Sequence, residues 1–137
     1  MTSLQTLKAF KTVLLVAGIA FTLACGYSHS MTPPTAGSMP TISAMSPNSE
    51  VHNTGGFTLT VNGSNFNSNA VVNFNGAAMN TSWTNAGQVK GTIPDSAIMN
   101  TGMVQVTVTN PAVQGTGPYG GGGMTAETSA PATFTID

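Results

Sequence analysis

Charge is what this sequence has least of. Asp, Glu, Lys and Arg make up 5% of its 137 residues, against roughly 25% in an average soluble protein. Beyond residue 24 the one basic side chain is Lys90, set against Glu50, Asp95, Glu127 and Asp137. Nucleic-acid binding needs clustered Lys and Arg to displace counterions from phosphates, so a single Lys excludes it. Cysteine is almost missing as well. Cys25 stands alone, which rules out a disulfide within the chain and a thiolate cage for zinc. Catalytic residue types are equally sparse. His29 falls in a linker and His52 in a predicted turn, while Glu50, Asp95 and Glu127 fall in separate connections. The many Ser and Thr have no identifiable activating base. Gly120-Gly121-Gly122-Gly123 lacks the helix N-terminus and Lys that a phosphate cradle needs. These absences argue against an enzyme, and no metal or cofactor is expected.

What is present divides into three parts. Lys8 and Lys11 precede a mostly apolar run, Thr12 to Ala24. A positive start, a short apolar stretch and a small residue before the cut form the secretory leader pattern. The run is too short for a bilayer span, which takes about 20 residues. It ends in Phe21-Thr22-Leu23-Ala24-Cys25-Gly26. This stretch resembles the lipobox of bacterial lipoproteins, with Thr22 where that family most often carries Leu. The resemblance implies cleavage after residue 24, lipid on Cys25, and anchorage in a membrane through that lipid. Gly26, where an Asp would favour inner-membrane retention, implies the outer membrane. Residues 25–39 then read as the lipidated Cys and a flexible tether, rich in Ser, Thr, Pro and Gly and without apolar period.

Residues 40–137 read as one all-β domain. In Phe57-Thr58-Leu59-Thr60-Val61-Asn62 apolar and polar residues alternate, as in a strand with one buried face. Gly55-Gly56 turns the chain into it. Asn62-Gly63 is the predicted turn of positive φ after it, with Phe66 folding back on the apolar face. Further strands are expected at 40–49, 70–76, 77–83, 88–94, 103–111 and 133–136. Val104, Val106 and Val108, alternating with Gln105, Thr107 and Thr109, give the cleanest pattern. About seven short strands separated by turn signals specify an immunoglobulin-like β-sandwich.

Six pieces in order carry a closer resemblance: Pro40-x-Ile42 with Ser46-Pro47, Gly55 to Phe66, Val72-x-Phe74-x-Gly76, Ile93-Pro94, Gly102 to Pro111, and Phe134-Thr135-Ile136. Together they are similar to the IPT/TIG family, which implies an early-set immunoglobulin-like fold over 40–137. The family serves many roles, so fold does not give function. The connection from Ala112 to Pro131 is longer than the resemblance implies. Long loops are functional or flexible, and this one is read either as a spacer or as a binding loop presenting Tyr119. Trp83 also has two readings. It packs at the sandwich edge, as large aromatics usually do, or its ring stacks on a sugar with Asn and Thr nearby.

The expected function is therefore a lipid-anchored envelope module, structural or protein-binding, without catalysis. A carbohydrate-binding surface protein is the alternative. Self-assembly through neutral strand edges, which lack protection against pairing, is a further one.

Overall fold

The alternating pattern builds strands along the whole domain. The computed structural model describes residues 33–116 and 121–137. The leader, Cys25, His29 and Tyr119 lie outside the described residues. In chain order the strands are β1 (Thr41–Ser46), β2 (Ser49–Glu50), β3 (Phe57–Ser64), β4 (Val71–Phe74), β5 (Ala77–Ala78), β6 (Asn80–Asn85), β7 (Gln88–Ile93), β8 (Gly102–Asn110), β9 (Glu127–Thr128) and β10 (Ala132–Ile136). One 3-10 turn spans Asp95–Ile98. The first sheet runs β1-β3-β7-β6. The second runs β2-β10-β8-β4-β5, with β9 also paired to β8. The seven longer strands fall where the sequence places them. The additional three are two-residue pieces at points where the chain changes sheet or pauses in its pairing.

Period-two alternation puts one face of each sheet into a shared core. Leu59, Val61, Val89 and Ile93 line it from the first sheet. Val72, Phe74, Val104, Val106, Val108, Phe134 and Ile136 line it from the second. Phe57 stacks on Phe134 with centroids 5.6 Å apart, and Phe74 meets Phe134 edge-on at 5.3 Å. This trio joins the sheets. Gly91 lies between the inward-facing Val89 and Ile93, and a Cβ there would sit 3.1 Å from the Val72 side chain. The missing side chain lets the two sheets close on each other at that point.

The strand expected over 77–83 divides at Met79. Met79 N–H donates to Val72 O at 2.8 Å. The Thr81 hydroxyl accepts from Val72 N–H and donates to Met79 O, each at 2.9 Å. A side-chain oxygen thus replaces the ladder bond that β4 loses as the chain crosses to the first sheet. The expected turn at Asn62-Gly63 is corrected. Both residues stay in β3, and positive φ comes at Asn65 instead, at 61°. Gly63 is needed for another reason: a Cβ there would stand 1.8 Å from Thr41 O. It faces the irregular register of β1 between Ile42 and Ala44, where the strands approach too closely for any side chain. The Asn75-Gly76 turn is as expected, with φ of 51° and 80° linking Phe74 to Ala77, the two-residue hairpin geometry that suits strand twist.

Two further expectations change. The flexible tether does not extend to residue 39. Thr35 N–H donates to Gly123 O at 2.9 Å, and Thr125 N–H donates to Thr35 O at 3.1 Å. The 112–131 connection is also partly ordered by β pairing. Val113 and Met124 exchange two backbone bonds of 2.9 Å, and β9 pairs with the end of β8. Backbone donors near a sheet end are costly to leave unpaired, and these two segments satisfy each other.

Candidate functional site

β8 connects the two ends of the sandwich, which lie about 30 Å apart along nine residues of strand. Each end carries a group of exposed apolar side chains.

The first end is assembled around Asn110. Its position continues the inward parity of Val104, Val106 and Val108, so the side chain is buried, with 1% exposure. A buried amide needs partners, and here it has three. Its Nδ2 donates to Asn65 O at 2.7 Å and to Ser38 O at 2.9 Å. Its Oδ1 accepts from Asn67 N–H at 3.0 Å. One side chain therefore ties the segment before β1 and the turn after β3 to the end of β8. Asn65 Nδ2 adds a bond to Met39 O at 3.1 Å.

Trp83 is joined to the same turn, since its Nε1–H donates to Phe66 O at 3.1 Å. It pairs with Val89 and so shares the core-facing side of its sheet. β6 is an edge strand, however, and the ring overhangs the border with 44% exposure. The ring therefore sits at the sandwich edge, packed on one side and open to solvent on the other. Met39, Val113 and Met124 are also half-exposed at this end. A cavity of about 260 Å³ lies between Pro34, the Val113–Met124 bridge and Thr125. Among the described residues, Glu127 is the charged side chain here, and it accepts from the Thr125 hydroxyl at 3.0 Å.

The opposite end holds a cleft of about 380 Å³. Its floor is Phe74, Val104 and Ile136, and its walls are the Asn75-Gly76 hairpin and the connection from Ser96 to Met103. Met99 and Met103 rim it, 57% and 78% exposed. No charged side chain lines it. Met103 stands on the outward parity of β8, so its exposure follows from the alternation, although the sequence reading drew nothing from it. His52 is also at this end, its ring Nδ1 2.8 Å from the Asp137 main-chain oxygen. Glu50, Asp95 and Glu127 remain on separate elements. Among the described residues no three of His, Cys, Asp and Glu gather in one place.

Two packed β-layers, antiparallel apart from the short parallel pairing of β2 with β10, and a core of alternating residues define an immunoglobulin-like module. The chain belongs to the IPT/TIG domain family, whose model matches residues 40–136. Two solved structures are similar. One is a provisionally named phosphatase of Bacteroides thetaiotaomicron VPI-5482, at 19% identity and a TM-score of 0.45, covering 75% of this chain and 20% of that one. The chain thus spans about a fifth of that protein. The other is the TIG domain of human nuclear factor of activated T-cells, cytoplasmic 4, at 18% identity and a TM-score of 0.41, covering 72% of this chain and 89% of that one. No curated protein matches the chain.

Proposed function

We propose that the chain is a non-catalytic interaction module of the bacterial cell envelope, exported and held at the outer membrane by lipid on Cys25. The observation that carries this reading is the gathering of exposed apolar side chains at the two ends. Met99 and Met103 in particular rim an uncharged cleft. Flexible, polarizable thioethers suit a surface that adapts to a protein partner, and patches of this kind on a soluble domain mark interaction sites. The leader and lipobox-like sequence support the location.

The test is cross-linking and co-purification from intact envelopes. Full-length protein should enrich a defined protein, and M99S/M103S should lose it while folding normally. Equal enrichment by both forms would remove the cleft from the proposal.

The half-exposed Trp83 supports a second reading, a carbohydrate-binding surface protein in which this ring stacks on a sugar. In that case polysaccharide is retained by the wild type and released by Trp83→Ala, whatever happens to M99S/M103S.

A further inference from the structure

We infer that the end of the sandwich bearing Trp83, Met39, Val113 and Met124 is seated on the lipid surface, leaving the methionine cleft as the end that faces away. The inference rests on the anchored reading above, and on three features of the molecule.

The first is where the chain enters the domain. Thr35 is bridged to Met124, and Ser38 O is held by Asn110. Residues 33–39 are thus fixed to this end and no other. From Cys25 to Pro33 are eight residues, a reach of at most about 29 Å when fully extended. An anchor on Cys25 keeps this end close to the bilayer, whereas the cleft lies a further strand length away.

The second is the chemistry of the end. It exposes one indole and three aliphatic or thioether side chains. Trp is enriched where membrane meets water, because its ring is apolar with a polar edge. Here the N–H is already satisfied by Phe66 O, so the ring can enter the headgroup region without exposing a bare donor. The third is charge. Glu127 is the charged side chain at this end among the described residues, and its carboxylate is engaged by Thr125. Seating is therefore apolar and interfacial. It does not depend on anionic lipid and is insensitive to salt, unlike a polybasic contact.

The chain has one Trp and one Cys, which makes the test direct. The mature chain from Cys25 is coupled through that thiol to maleimide lipid in phosphatidylethanolamine–phosphatidylglycerol vesicles that carry brominated phosphatidylcholine. Trp83 emission should shift to shorter wavelength and lose roughly half its intensity, because an interfacial ring lies within the depth the quencher samples. The loss should persist in high salt. A W83F/M103W variant reports the cleft end and should keep its emission. Equal quenching at both positions, or none at Trp83, would overturn the seating. Chemical coupling makes this outcome independent of natural lipidation. Labelling of Cys25 by radioactive palmitate in cells tests the anchor separately. Absent label with quenching intact would overturn the anchored reading and hence the seat in the cell, while leaving the surface preference measured.

Discussion

At Asn110, one amide serves three backbone groups from distant parts of the chain. Truncation leaves those groups without a protein partner in a partly buried site, where a fully buried orphan would cost about 1–3 kcal/mol and a partly hydrated one less. Asn110→Ala should therefore lower unfolding free energy by about 2–4 kcal/mol, read from urea titration, with the slope unchanged. A loss no larger than a typical surface substitution would deny Asn110 this role. Gly63 shows the opposite kind of constraint. Its neighbour Thr41 O stands where a Cβ would be, so Gly63→Ala must push β1 away from β3. Proton exchange should accelerate at the β1–β3 ladder before it does at β8. An unchanged ladder would mean that the bulge in β1 absorbs the methyl.

Among the elements, β10 carries the joint between the sheets. Phe134 is fully buried and touches Phe57 from the first sheet and Phe74 from its own. Phe134→Ala should cost about 3–5 kcal/mol, with the larger figure if the site does not collapse. A thermal melt reads this directly. β9 and β10 illustrate a smaller repair. Between them the register against β8 slips by one residue, which leaves Val108 N–H without a main-chain acceptor. Ser129 supplies its hydroxyl at 3.0 Å. Ser129→Ala should destabilise by about 1–3 kcal/mol, whereas Ser129→Thr, which keeps the oxygen, should recover part of that loss. Strand positions were legible because alternation is a local signal. The Ser129 repair was not, because the donor it accepts from, Val108 N–H, lies 21 residues away and no pattern in 126–131 announces it.

For the molecule as a whole, the boundary of the domain is a stability question. A chain starting at residue 33 keeps Thr35, Ser38 and Met39 in place. One starting at residue 40 leaves Asn110 and Asn65 each short of an acceptor. The shorter form should unfold at lower urea, with a difference of about 2–3 kcal/mol. Identical midpoints would return residues 33–39 to the status of a free linker. The same docking determines which end an anchor would hold near a membrane, so domain boundary and orientation follow from one set of bonds.

Alternation was enough to specify a β-sandwich and the inward residues of its central strands, and six motif pieces in order carried the resemblance to the family. These depend on neighbours one or two residues apart, or on short motifs, and both are written along the chain. Trp83 and the 112–131 connection were also visible as unusual stretches. Pairing between segments that are far apart in sequence was decided only on folding. It brought residues 33–39 and the Trp83 turn to one end and left Met99 and Met103 at the other. The physical reason is that buried amides and unpaired backbone groups find partners by proximity in space. Which segment arrives there is set by the topology of the two sheets and by no local residue preference.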